Sequence, residues 1–231
     1  MEHFIEQTDC GACQLNCICL GDLTSREMEE FNENKRVIVF HKGETIYKQR
    51  TFLSNIIFIK EGIGKLLVEG SNGKKFTIKL FGPNEYIGLT QLFGKNRSNY
   101  TVIALKQTTV CMIEINFFKR LILKRTHLAE KVHRLCSEEY NFLYQRLEIL
   151  GTRNLHARLS DTLMYLTNEK LSRENVFSHI TRKDIAELSA MSNESMIRLL
   201  NEFKNDRLVT IDGKAIRIEN QELLKILWKA G

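Results

Sequence analysis

TRKDIAELSAMSNESMIRLLNEFKNDRLVTIDGKAIRI, Thr181 to Ile218, decides the fold of this 231-residue chain. Thr181 with Asp184 three residues on is a helix start with an acidic third position, and Ile185 and Leu188 supply one turn of apolar face. Ser192 caps a second helix whose apolar positions, Met196, Leu199, Leu200 and Phe203, follow three- and four-residue spacing. Asn193, Glu194, Ile197, Arg198 and Asn201 are left on the opposite side. Downstream, Leu208–Ile211 and Ala215–Ile218 are β-prone runs joined through Asp212-Gly213, a hairpin signal. Helix, tight turn, helix and hairpin outline a winged helix-turn-helix.

An amide, a carboxylate and a guanidinium on one helix face suit base edges in a major groove. Arg is bidentate to guanine, Glu accepts from cytosine N4, and Ile197 meets a thymine methyl. The expected DNA-contacting set is Arg182, Ser192, Asn193, Glu194, Ser195, Ile197, Arg198 and Asn201. Against this stands the ordinary fate of a Glu and an Arg four residues apart, a solvated ion pair worth about 0.3–0.5 kcal/mol.

The longer run ITRKDIAELSAMSNESMIRLLNEFKNDRLVTIDGKAIRIEN, residues 180–220, resembles the DNA-binding module of CRP/FNR-type bacterial transcription regulators. The resemblance implies that Glu194 and Arg198 read a half-site. With two departures, Asn193 where the CRP pattern has Arg and Ile197 where the FNR pattern has Ser, the resemblance supports DNA reading but not either family type's exact operator.

Eight of the 13 glycines lie between Gly43 and Gly94 and separate the short runs Val37–Phe40, Ile56–Ile59, Lys65–Val68 and Phe76–Phe81; the only proline, Pro83, lies at the next turn. Such spacing predicts a β-roll or barrel. The segments FHKGETIYKQR, IIFIKEGIGKLL, FGPNEYIGLTQLF and RSNYTVIALKQTTVCMIE are similar to the cyclic-nucleotide-binding fold of the same family. That family holds ribose hydroxyls with a Glu after the Gly of an Ile-Gly step and the cyclic phosphate with an Arg-Ser pair. Arg97 and Ser98 are present, but Leu89 occupies the Glu position, and an apolar side chain cannot accept a ribose hydroxyl. Cyclic AMP is therefore disfavoured, and Arg97 and Ser98 are left as an anion or effector pocket or as solvent-facing residues.

From Leu128 the apolar residues Leu128, Val132, Leu135, Phe142, Leu143, Leu147 and Leu150 recur mostly at three- and four-residue steps, with Glu139 and Arg146 interrupting, and no Gly or Pro intervenes before Gly151. A helix of this kind packs within its own chain or on a partner. By resemblance it is the seam of a parallel homodimer, matching two half-sites one DNA turn apart, with Gly151 the hinge.

Four of the six cysteines, Cys10, Cys13, Cys17 and Cys19, fall within ten residues. Crowded thiolates in a chain without a secretion signal suit zinc or an iron–sulfur cluster better than structural disulfides. By resemblance to the FNR pattern, Cys-x2-Cys-x5-Cys plus one distant Cys, the residues Cys10, Cys13, Cys19 and Cys111 ligate a [4Fe-4S] cluster that responds to oxygen, nitric oxide or redox state. Cys17 is either a spare ligand or the alternative to Cys19. Cys136, without a cysteine neighbour, reads as a small buried hydrophobe; His133 one turn before it is a weak sign of a mixed zinc site.

Composition excludes little. The chain is 43% hydrophobic and 27% charged with net charge +6, a weak preference for anionic partners. Residues 151–231 hold 13 Lys and Arg against 11 Asp and Glu, so the basicity is not gathered in the proposed DNA-binding module. The acidic start MEHFIEQTD and the shortness of every apolar run predict no signal peptide, no membrane span and a cytoplasmic protein. No nucleophile–base set, phosphate loop or hydrolase metal spacing points to an enzyme.

The expected architecture is α+β: a cysteine-rich segment over 1–24, a β-roll sensor domain over 25–125, a dimerisation helix over 126–150 and a winged helix-turn-helix over 151–231. The expected function is a homodimeric regulator binding double-stranded DNA, with RNA polymerase as partner by resemblance. Two other readings stand beside it. One is the same dimer governed by zinc, haem, a small anion or thiol redox. The other is a cyclic-nucleotide-binding subunit with no DNA role, against which Leu89 and the wing both count.

Overall fold

Each apolar run between the glycines of the N-terminal half becomes a strand because its β-branched and aromatic residues suit a pleated, buried surface. The structure is a computed structural model that describes residues 3–5, 10, 13, 17, 23–71, 73–94 and 97–231. It divides into two units, residues 1–66 with 80–141 and residues 67–79 with 142–231.

The strands are β1 (His3–Ile5), β2 (Lys35–Phe40), β3 (Thr45–Tyr47), β4 (Asn55–Glu61), β5 (Gly64–Glu69), β6 (Lys75–Phe81), β7 (Tyr86–Ile87), β8 (Thr101–Ala104) and β9 (Thr108–Glu114). They form one sheet ordered β1-β2-β9-β4-β7 and another ordered β3-β8-β5-β6. Residues 67–79, the outer part of β5 and β6, count with the second unit. The predicted β-roll is thus present, and its core is built from Ile56, Ile57, Phe58 and Ile59 of β4 with Val110 and Ile113 of β9, all essentially solvent-free. The turn from β4 to β5 requires glycine: Gly62 has φ +100°, and a Cβ there would lie 2.5 Å from Thr108 Oγ1.

Helix α1 (Ser25–Glu33) starts from a capping box in which the Thr24 hydroxyl and the Glu27 carboxylate satisfy each other's backbone N–H groups. Glu27 also pairs with Arg125, and Phe31 meets Phe117 of α2 (Ile115–Lys124) edge-on at 5.9 Å. Glu114 caps α2 by accepting from the N–H groups of Asn116 and Phe117. The long apolar run becomes α3, Thr126–Thr152. Gly151, expected as a hinge, lies inside this helix. The chain breaks instead at Arg153 and Asn154, where the Asn154 side chain accepts from Ala157 N and starts the next helix.

The second unit continues with α4 (Leu155–Leu166), α5 (Glu169–Arg173), α6 (Arg182–Leu188), α7 (Asn193–Asn205), the hairpin β10 (Val209–Asp212) and β11 (Ala215–Ile218), and α8 (Gln221–Ala230). Its core joins Leu159, Leu163 and Leu166 of α4 to Ile185 and Leu188 of α6, Met196 and Phe203 of α7, and Leu224 of α8, all nearly or fully buried. Among the described residues no helix is long and apolar enough to cross a membrane.

Candidate functional site

Thr181 and Asp184 cap α6 reciprocally, and Ser192 caps α7 by accepting from Ser195 N at 3.1 Å. With Met196, Leu199, Leu200 and Phe203 buried, the rigid core fixes the rotation of α7 and turns Asn193, Glu194, Ile197, Arg198 and Asn201 outward. Ile197 is 42% exposed, an isolated apolar group among polar ones. Among the described residues neither Glu194 nor Arg198 has an ion-pair or hydrogen-bond partner, so the expected solvated pair is not formed and both heads are available to a ligand.

The other expected contacts have local work. The Ser192 hydroxyl donates to the half-buried Ser195 hydroxyl at 3.0 Å. Arg182 donates through Nη2 to the Gly213 carbonyl at 3.0 Å, and burial lowers its affinity for its proton. It ties the first turn of α6 to the wing. The wing turn is displaced by one residue from the expected Asp-Gly: Asp212 pairs with Ala215, leaving Gly213 and Lys214 as the two-residue loop, with Gly213 at φ +56°.

The turn between α6 and α7 contains Ala190 at φ +49°, a left-handed conformation that crowds its Cβ. Ala190→Gly is expected to stabilise the second unit by about 0.5–1 kcal/mol after glycine's greater unfolded-state freedom is deducted. The check is a rise in melting temperature with DNA affinity unchanged.

One residue that sequence reasoning passed over positions this module. Arg146 of α3, which reads as an interruption of an apolar seam, is 7% exposed and donates to Asp161 Oδ2 at 2.8 Å and to the Leu188 carbonyl at the end of α6. A guanidinium inside an otherwise apolar repeat was the available signal. Burial raises the Asp161 carboxyl above its ordinary range, with Arg146 opposing the rise.

In the first unit the chemistry gathers on one face of the five-stranded sheet. Cys111 on β9 stands opposite Val37 on β2 and Phe58 on β4, and Lys35 stands opposite Ile113, so these side chains share a face. A small cavity there is lined by Cys10, Cys13, Cys17, Lys35, Lys60 and Cys111, with Phe31, Phe58 and Ile113. The tail is pinned above it. Cys10 N donates to Asn32 Oδ1 at 3.0 Å, Cys13 N to the Cys10 carbonyl at 3.1 Å, and Lys35 Nζ, 2% exposed, to Cys10 Sγ at 2.6 Å.

Burial pushes the Cys111 thiol up to about 12; Lys60 and Lys35 pull it down, while Cys10 and Cys17 push it further. Cys10 is raised chiefly by burial, opposed by Lys35 and reinforced by Cys17 and Cys13. The thiols thus feel one another's charge. Three of the four predicted ligands, Cys10, Cys13 and Cys111, are brought together. Cys19 lies outside the described residues, and Cys17 stands with the other three. Among the described residues no set of three or more His, Cys, Asp and Glu is already at metal-ligating geometry. The donors themselves, four soft thiols flanked by two lysines, fit a cluster or zinc in chemistry.

Elsewhere in this unit Arg97 is exposed and stacks over Phe52 at 4.5 Å, while the buried Ser98 hydroxyl donates to the Tyr100 carbonyl at 2.5 Å. The Tyr100 hydroxyl accepts from Gly88 N and donates to Gln91 Oε1, both at 3.1 Å, beside the buried Leu89. Along α3, Leu128 and Val132 of the expected seam are buried within the protomer. Leu135, Phe142, Leu143 and Leu150 are half-buried, and Leu147 is 67% exposed together with Tyr140 and Tyr144, which the sequence reading left out.

Comparison with known proteins matches residues 37–125 to the family described as the cyclic nucleotide-binding domain and residues 157–227 to the Crp-like helix-turn-helix domain. The chain is 24% identical to the transcriptional regulatory protein btr of Bordetella pertussis, covering 94% of this chain and 92% of that protein. It is 23% identical to the fumarate and nitrate reduction regulatory protein of Yersinia pestis, over 93% of this chain and 88% of that protein. In fold it is similar to FixK2 from Bradyrhizobium japonicum, with a TM-score of 0.73 at 15% identity over 84% of this chain and 96% of that one.

Proposed function

Because the chain belongs to the CRP/FNR family of DNA-binding transcription regulators, we propose that it acts as a cytoplasmic homodimer that senses oxygen, nitric oxide or redox state through a cysteine-ligated iron–sulfur cluster. The observation that carries the sensing part is the convergence of tail cysteines with Cys111 on one cavity of the sheet. A bound cluster supplies electron-transfer and oxygen-reactive chemistry. The chain's own residues do the rest: Cys10, Cys13 and Cys111 with a further tail thiol hold it, and Lys35 and Lys60 balance thiolate charge. Phe31, Phe58 and Ile113 limit water.

Output passes through the two α7 helices. The exposed Glu194, Arg198, Asn193, Ile197 and Asn201 read base edges, and Arg182 steadies the wing that flanks them. The exposed Tyr140, Tyr144 and Leu147 on α3 supply apolar surface for a second protomer. Effector state shifts the population between dimers that place two reading helices one DNA turn apart and dimers that do not. RNA polymerase is the expected protein partner by family. Cyclic AMP is not the signal in this reading, since Leu89 offers no acceptor, the Ser98 hydroxyl is donated to the Tyr100 carbonyl and the Tyr100 hydroxyl to Gln91.

Anaerobic purification with iron, sulfide and zinc analysis and a visible spectrum of the same sample tests the reading. Iron and sulfide in equal amount, about four of each per chain, with an absorption that air bleaches, is the expected result. Zinc without iron makes the centre structural, and a metal-free dimer moves the signal to thiol oxidation or to the β-roll.

A further inference from the structure

Resting on DNA reading by α7 and not on the cluster, we infer that the outer part of β5 and β6 is a lever on the reading helix, gripped to α6 by the Thr77–Glu187 hydrogen bond. Residues 67–79 belong with the DNA-binding helices in one compact unit. Two contacts hold them there. Thr77 of β6, fully buried, donates through Oγ1 to Glu187 Oε2 at 2.6 Å. Lys79, 9% exposed, places Nζ 5.4 Å from the centre of the Phe142 ring of α3, and that ring lies 5.8 Å from Tyr165 of α4. A hydroxyl buried this far needs a partner, and a carboxylate makes the strongest acceptor.

Glu187 joins the grip to the reading machinery. Its carbonyl accepts from Ala190 N at 3.1 Å, and Ala190 is the left-handed residue of the turn into α7. The same end of α6 is held by Arg146 at the Leu188 carbonyl and by Ser189, whose hydroxyl lies 3.0 Å from Thr162 Oγ1 of α4. A shift of the hairpin therefore acts on α6 and, through a turn without slack, on α7. The two strands run on without a break into Gly64–Leu66 and Leu80–Phe81, which belong to the first unit, so the lever is continuous with the sensor sheet. Coupling of this kind is reciprocal: whatever lets the sheet bias α7 also lets DNA bound at α7 be felt in residues 67–79.

The test is hydrogen–deuterium exchange on the full chain, with and without a DNA duplex that the wild type selects from a random pool, for wild type, Thr77→Val and Thr77→Ser. Duplex is saturating in every case, and the amides of α4, which any stabilisation of the second unit would slow, serve as reference. DNA is expected to slow exchange over residues 67–79 of the wild type by about five-fold or more beyond that reference, the lower end of ordinary coupling. The extra slowing should vanish in Thr77→Val and return in Thr77→Ser. No extra slowing in wild type, extra slowing that persists in Thr77→Val because DNA touches the hairpin directly, or a Thr77→Ser that behaves like Thr77→Val overturns the lever while leaving DNA reading intact. A wild-type chain that selects no duplex overturns both. If Thr77→Val fails to fold, Glu187→Ala removes the same bond from its half-buried side and is read in the same way.

Discussion

Arg146→Ala is expected to destabilise the second unit by about 3–5 kcal/mol, the usual consequence of removing one partner from a buried charge pair. The guanidinium is 7% exposed and serves two acceptors, Asp161 Oδ2 and the Leu188 carbonyl. Its loss leaves the half-buried Asp161 carboxylate and a helix-end carbonyl without their donor, plus a cavity. The sign of the pH effect follows from Asp161, whose folded carboxyl is already raised by burial against the pull of Arg146. A raised carboxyl favours the fold most at low pH and penalises it as pH climbs past the ordinary carboxylate range. Without Arg146 that penalty grows, so the deficit should be larger at pH 7 than at pH 4. Urea unfolding at both pH values measures it; a loss under about 1 kcal/mol would mean that the pair is effectively solvated. Asp161→Asn in the same background should restore part of the loss, because it removes the stranded charge.

Arg198→Ala should weaken DNA binding by about 1–3 kcal/mol per half-site, roughly five- to 150-fold. The effect is expected to be concentrated at one guanine, since the guanidinium is exposed on a face whose rotation the buried Met196, Leu199, Leu200 and Phe203 fix. The operator is first obtained by selection from a random pool. Affinities of wild type and variant are then compared on single-base variants at one salt concentration. Loss of discrimination at one position, with others unchanged, marks base reading. Uniform weakening with a shallower salt dependence marks a phosphate contact instead.

How much of this was legible in the sequence depended on whether a residue's role was local. The caps Thr181 and Ser192, the buried side of α7 and the outward Glu194 and Arg198 are set by spacing within one helix, and they stand where periodicity puts them. Strand positions in the β-roll were similarly plain, because apolar runs between glycines have few other fates. The wing turn was misplaced by one residue, since Asp212 still pairs and the loop needs its left-handed residue at Gly213. Gly151 misled because a glycine near a helix end costs little, whereas the side-chain cap at Asn154 marks the real break.

What escaped was tertiary. Nothing in a one-dimensional repeat says that Leu128 and Val132 have intrachain neighbours to cover them while Tyr140 and Tyr144 do not. Nor does it say that Lys35, at the start of a strand, would be buried against a thiol 25 residues away. The family resemblance supplied Cys111 as the distant partner of the tail. Only cross-strand register shows why that position works: it puts the sulfur on the same side as Lys35 and Phe58.

The pairing of β1 with β2 carries a consequence for solubility. His3–Ile5 runs antiparallel to Val37–Val39 and occupies what would otherwise be the open border of the larger sheet. The strand behind it, KRVIVF, is apolar over four consecutive residues, and a bare border of that kind recruits other chains. The stretch of chain that delivers the thiols therefore also plugs the sheet. Anything that pulls it away, whether truncation or a tag that crowds the first residues, lifts the tail cysteines from their cavity and opens a sticky seam in the same event.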